Sequence, residues 1–477
     1  MNAEGLDTFQ KARQINLDAA VHGTFAEIGA GQEVARWFFH VGGAASTVAK
    51  TVSAYDMAVS DALYGPTDRY VSRHRLRAML DAEYALLLAR LNATRGATTR
   101  FFAFADTVVA RSYAHREDGQ GWMGVRFQPG PRTDPGEILL HACLHDTDNV
   151  REQEALGILG VNLLYGAVYH HADPVELIRS LMDALTRERV EIDMIRFSGA
   201  CFAGVDNRLM SLQLVEQAFT DAALFTAAGE VVQPAEILYK KPVLIERGSF
   251  RPVTHLTLDI LEQTAAEYLA ESQGGAEPPV ILMEMSLRNL LAEGAVDHTD
   301  FLARVDTLEA LGKTVMISNC PVHYQLAEYL RRYTAMPLVF AMGLPNLEEV
   351  FNEKYYASLD GGILEAFGRL FKAGVRLYVY PATDRASGSL VTADTIRVPS
   401  HLRHLQAYLL EHRQVVPIAR PNAAYLPIVP RDVLARILAG DASWETMVPA
   451  VAVRLIKERR LFRPEPLGTP SNTCAPQ

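Results

Sequence analysis

The stretch PVLIERGSFRPVTHLTLDILEQTAAEYLAE, residues 242–271, decides the fold class. An apolar run, PVLIER (242–247), ends on a Gly-Ser turn. A longer segment follows from Thr254, with apolar residues at helical intervals. A second apolar run, PVILMEM (279–285), comes next. Going outward, the pattern repeats through HTDFLARVDTLEAL, TVMIS (314–318), YQLAEYLRRY, PLVFAM, GILEAFGRLF and VRLYVYP (375–381). Short strands separated by amphipathic helices specify a parallel, doubly wound sheet. The last helix expected is VPAVAVRLIKERRLF.

Toward the N-terminus the pattern changes. Residues 1–95 read helical, with QEVARWFFHV (32–41) and HRLRAMLDAEYALLLARL (74–91) as the clearest periodic segments and STVAKTVSAYDMAV as a further helix. FFAFADTVVARSYAH, GWMGVRFQ and EILLHACLHD read as antiparallel strands separated by DGQG and PGPRTDPG. Helices are expected at 151–169 and 174–186, and a strand at 190–197. The chain is therefore expected to be α/β, with a helical N-terminal region (1–95) and an α+β middle region (96–239). A doubly wound parallel, Rossmann-like C-terminal domain (240–465) and a disordered tail (466–477) complete it.

Composition narrows the function. The 477 residues are 49% hydrophobic and 21% charged, with a net charge of −10, the balance of a globular protein with a core. Lys and Arg are interspersed with acids, which argues against nucleic acid as a partner, because counterion release needs clustered cations. Four scattered cysteines fit a reducing, cytoplasmic setting better than a disulfide framework. The opening MNAEGLDTFQKARQ does not read as a signal peptide, and no apolar run reaches the ~20 residues of a membrane span. A homo-oligomer is left open.

A doubly wound sheet binds ligands beyond the carboxyl ends of its strands, often against helix N-termini that attract phosphate. The junction IERGSFRPVTHLTLDIL (245–261) resembles the opening of the nicotinate/nicotinamide mononucleotide adenylyltransferase family, G-S-F-x-P-[IV]-[TH]-x-G-H-L. Gly248, Ser249, Phe250, Pro252, Val253, Thr254 and Leu258 match it. The family closes with I-S-S-T-x-I-R-x-x-I-x-x-G, then V-P, then a terminal helix. Here IVPRDVLARILAG (428–440), Val448–Pro449 and LIKERRLF (455–462) resemble that ending. The resemblance covers roughly residues 240–465. It implies adenylyl transfer from ATP, with Mg²⁺, to the phosphate of a mononucleotide. Gly248, Ser249, Phe250 and Thr254 would bind the nucleotide, and His255 and Arg251 would be catalytic.

The chain departs from the family at two places. Leu256–Thr257 replaces the Gly-His of the first motif, and Val429–Leu434 replaces S-S-T-x-I-R. Two alternatives follow: a nucleotide sensor or scaffold without catalysis, or different chemistry in the N-terminal half.

Other constellations have competing readings. FHVGGAASTVAKT (39–51) reads as a helix break with glycines for close packing, or as an anion site of Arg36, His40 and Lys50. On EILLHACLHD, His141, Cys143 and His145 share one strand face. Three ligands on one straight strand spread over roughly 13 Å, too far to share an ion, so no metal site is expected. Asp206–Asn207–Arg208 is either a site at a strand end or a helix cap. Glu246–Arg247 is either a ribose- or metal-holding carboxylate or an ion pair.

Overall fold

The computed structural model describes residues 5–111, 119–271, 277–384 and 387–462. The expected tail (466–477) lies outside them. The chain forms two compact units, residues 1–223 with 231–233, and 224–230 with 234–477.

The first unit carries β1 (Val21–Ile28), β2 (Val48–Val52), β3 (Arg100–Val109), β4 (Gly119–Phe127), β5 (Gly136–Leu144) and β6 (Val190–Ser198) in the order β2-β1-β3-β4-β5-β6. The pairs β1–β2 and β1–β3 are parallel. From β3 to β6 the strands are antiparallel, as expected for β3 to β5.

The regions expected at 1–95 and 96–239 thus share one sheet, because residues 21–28 and 48–52 are strands. β1 shows no period of two: seven of its eight residues are buried. A central parallel strand is covered on both faces and loses its alternation. The segment read as a helix around residues 46–59 splits into β2 and a helix at Met57–Tyr64. Pairing with β1 recruits β-branched Val48, Thr51 and Val52 into the sheet.

The helix Asn149–Tyr169 fills the core of this unit, with fifteen of its 21 residues buried. Its Gly160 lets the helix Glu33–His40 approach closely, since a Cβ there would stand 2.3 Å from Val34 Cγ2.

The connecting stretch carries β7 (Ala222–Phe225) and β8 (Val231–Val232). The second unit continues with β9 (Val243–Arg247), β10 (Val280–Ser286), β11 (Thr314–Ser318), β12 (Leu338–Gly343) and β13 (Arg376–Tyr380). A two-stranded antiparallel ribbon, β14 (Ala382–Thr383) with β15 (Leu390–Val391), precedes β16 (Val415–Pro417). The main strands order β16-β13-β12-β9-β10-β11, all parallel. The doubly wound expectation holds strand for strand. The chain moves outward from β9 through β10 to β11, then returns to β12 on the other side of β9. The strand order therefore reverses between β9 and β12, where an open sheet of this kind leaves a crevice for a ligand.

Candidate functional site

A cavity of about 1190 Å³ opens beyond the carboxyl ends of β9, β10, β11 and β12 in the second unit. Each strand contributes where it ends: Arg247 and Gly248 after β9, Ser286 from β10, Asn319 after β11, and Pro345 and Asn346 after β12. Asn346 Nδ2 donates to Arg247 O at 3.5 Å, so the two strands at the reversal are linked at the cavity floor.

Arg247 organises this floor. Its Nε and Nη2 donate to Glu284 at 2.6 and 3.1 Å, and Nη2 and Nη1 also reach the carbonyls of Cys320 and Pro321 at 2.7 and 3.3 Å. Glu284 is fully buried and accepts a further bond from Ser318 Oγ at 2.5 Å. The guanidinium is thus spent on holding the loop after β11.

Glu246, its neighbour in sequence, points to the other face because strand side chains alternate. It pairs with no arginine among the described residues. Burial pushes its carboxyl well above the usual range, and Oε2 has no partner among the described residues. The expected Glu246–Arg247 pair is replaced by Arg247–Glu284 across the strands.

Of the residues expected to bind nucleotide, Gly248 and Ser249 line the cavity, and so does Arg251, expected to be catalytic. Gly248 N–H donates to Glu284 O at 3.0 Å, and a Cβ at Gly248 would stand 2.8 Å from the Phe250 ring. Phe250 itself is buried, at a left-handed φ of 49°. Arg251 Nε lies 2.6 Å from Asp300 Oδ1, and Arg304 bridges Asp300 to Ser249 O.

Thr254 and His255 are placed elsewhere. Thr254 is fully buried and exchanges backbone-to-hydroxyl bonds with Thr257 at 3.4 Å each way, closing the start of the helix His255–Glu271. The His255 ring stacks on Tyr425 at 5.2 Å. Neither lines the cavity.

The other resembling stretch does reach it. Pro430, Arg431 and Leu434, at the start of the helix Pro430–Ala439, line the same cavity as Gly248 and Ser249. Two segments some 180 residues apart in sequence thus face one space.

Several lining residues were not singled out from the sequence. Arg288 stacks over Tyr355 at 5.1 Å. Arg288 and Arg431 have no ion pair among the described residues. His323 opens the helix His323–Arg331, and its Nε2 has no partner among the described residues. Burial, aided by the nearby Arg247 charge, pushes His323 down to about 3, so the ring is neutral at ordinary pH. Applying the strand-end rule to β11 and β12, as it was applied to β9, would have pointed to Asn319, His323 and Asn346.

The N-terminal candidates are engaged separately. Arg36 pairs with Glu33 at 3.2 Å, the His40 ring meets Phe9 and Trp37, and Lys50 pairs with Glu83. Gly42 and Gly43, at φ of 78° and 81°, break the helix before them. Asp206 caps the helix Asn207–Glu216, and Asn207 clamps both backbone groups of Phe197 at 2.7 and 3.0 Å.

No protein-family model matches the chain, and no curated protein matches it. Among solved structures, it is similar to the competence/damage inducible protein CihA from Agrobacterium tumefaciens. The identity is 18% over 35% of this chain and 99% of that one, with a TM-score of 0.26. A competence-damaged protein (CinA) superfamily protein from Enterobacter cloacae is 13% identical over 35% of this chain and 94% of its own, with a TM-score of 0.25. A competence or damage-inducible protein from Enterobacter asburiae is 12% identical over 34% and 99%, with a TM-score of 0.25. The resemblance of residues 240–465 to the adenylyltransferases rests on the residues quoted above. No described helix is long and apolar enough to cross a membrane.

Proposed function

We propose that the second unit binds a nucleotide in the cavity at the β9/β12 reversal. The observation that carries this reading is the convergence of residues 248–251 and 430–434 on one space lined by arginines. Arg251, Arg288 and Arg431 supply positive charge for phosphates, and the backbone at Gly248 and Ser249 forms the adjoining edge. Neutral His323 and Asn319 offer hydrogen bonds without charge, suited to a base or sugar. Mg²⁺ is held mostly through phosphate oxygens and one or two carboxylates. Glu348 and Glu349 are cavity carboxylates with no ion pair among the described residues.

The transfer reading goes one step further. A mononucleotide phosphate oxygen would attack the α-phosphorus of ATP, the bond to the β-phosphate would break, and pyrophosphate would leave with Mg²⁺. Charge at the α-phosphate would fall to Arg251 and Arg431, since electrostatic stabilisation and positioning dominate such transfers. The placement of Thr254 and His255 away from the cavity favours a second reading, in which nucleotide is bound but not transformed.

Calorimetry of the full chain with ATP, nicotinate mononucleotide and a dinucleotide, with and without Mg²⁺, tests binding. A coupled pyrophosphate assay tests transfer. Binding with pyrophosphate release supports the transferase. Binding without turnover leaves the sensor, and no binding of any of the three ligands overturns both.

A further inference from the structure

Outside this cavity, one cluster in the first unit has the composition of a metal centre. His141, Cys143 and Asp193 offer a nitrogen, a sulfur and an oxygen within 4.8 Å of one another. A straight strand would not produce this. His141 and Cys143 share a face of β5, and His145, the third candidate on that face, turns instead to Glu191 at 3.4 Å.

The missing ligand comes from the neighbouring strand through a bulge. His141 pairs with Met194 and Ala142 with Ile192, so Asp193 has no partner in the ladder. In regular pairing Asp193 would stand opposite Ala142 and share its face. A bulge re-aims the extra side chain, and here it brings the carboxylate alongside His141 and Cys143.

We propose that His141, Cys143 and Asp193 bind a zinc-type divalent cation. Thiolate, imidazole and carboxylate are the three side chains that zinc accepts. Asp193 Oδ1 is 2.6 Å from His141 Nδ1, and Cys143 Sγ is 3.8 Å from Asp193 Oδ2. Ligand atoms around a tetrahedral ion, with bonds of about 2.0–2.3 Å, stand roughly 3.3–3.7 Å apart. Closing the widest separation, at most 4.8 Å, to that range takes combined side-chain shifts of up to about 1–1.5 Å.

The surroundings fit as well. Gln120 Oε1 faces His141 Nε2 at 2.8 Å. With the amide in that orientation Nε2 carries the proton, and Nδ1 turns its lone pair toward a carboxylate oxygen. An outer hydrogen bond of this sort is what orients a metal-bound imidazole. Gln233 Nε2 donates to Asp193 Oδ2 at 3.2 Å and steadies the carboxylate. His141 and Asp193 are buried while Cys143 is half-buried, so the cluster is nearest to solvent on the Cys143 side.

The test uses the full chain and the metal alone. After dialysis against Zn²⁺ and removal of free ion, elemental analysis should find one ion per chain. Replacement by Co²⁺ should give the visible bands of a tetrahedral site and a thiolate-to-cobalt absorption in the near ultraviolet. Cys143→Ser, at a half-exposed position that tolerates the change, should abolish the thiolate absorption. Gln120→Leu should weaken binding by roughly 10–100-fold. A wild-type chain that retains no ion would overturn the proposal. So would a thiolate absorption that survives in Cys143→Ser. Neither outcome bears on nucleotide binding in the second unit.

Discussion

At the scale of single residues, the cavity floor depends on Arg247 more than on the glycine turn beside it. Glu284 is fully buried, and Arg247 is its charge partner. Removing one partner of a buried pair strands the other charge, at about 3–5 kcal/mol. Arg247→Ala should lose stability of that order in urea unfolding, and Arg247→Met with Glu284→Met should recover most of it. Recovery would identify the stranded carboxylate as the cause. A separate expectation concerns the turn. Gly248→Val would drive a side chain into the buried Phe250 ring and displace the cavity edge, so nucleotide affinity should fall at least tenfold in calorimetry. Thr257→Ala should leave affinity unchanged while costing about 1 kcal/mol, the usual worth of a helix-start hydroxyl. The sequence singled out Gly248 as the glycine of the turn and Thr257 as the position where the family has its histidine. It could not show that the neighbour limiting Gly248 is a phenylalanine two residues on, because that contact depends on the fold of the turn.

At the scale of elements, the parallel pair β1–β3 sets two acids side by side. Glu27 stands opposite Asp106, and both are 1% exposed. Glu27 accepts from the N–H groups of Val34 and Ala35 at 2.8 and 3.0 Å, yet burial still pushes it up to about 7. Asp106 is raised well above its ordinary value by burial and by Glu27. A carboxyl raised in the folded state holds its proton after the unfolded chain has released it. Stability should therefore decline as pH rises from about 4.5 through about 7, the range over which Glu27 holds its proton only in the folded chain. Asp106→Asn removes one of the two acids and should flatten that decline, as read from urea midpoints across the range. Such a pair was invisible in sequence, since Glu27 and Asp106 lie 79 residues apart in strands that were not both assigned. β1 was missed because its burial on both faces erases alternation, whereas β9 to β13 were found because helices of clear period separate them.

At the scale of the whole molecule, each unit has its own buried core, built on the six-stranded sheet in the first and on β9 to β13 with β16 in the second. Heat unfolding should accordingly depart from a single two-state step, with a calorimetric enthalpy larger than the van't Hoff value. The fragment 1–233 should fold alone, while a cut after 223 should loosen it, because Gln233 Nε2 bonds the buried Asp193. Circular dichroism and thermal melts of the two fragments check this. The sequence by itself determined the doubly wound second unit and the antiparallel run from β3 to β5. Those are set by local periodicity and turn chemistry, which neighbouring residues carry. Only the tertiary structure decided that residues 21–28 and 48–52 join the first sheet. It alone placed residues 430–434 opposite residues 248–251, and it alone brought Asp193 beside His141 and Cys143. Each of these depends on contacts between distant parts of the chain, where burial on two faces, strand order and a single-residue bulge outweigh what any local window records.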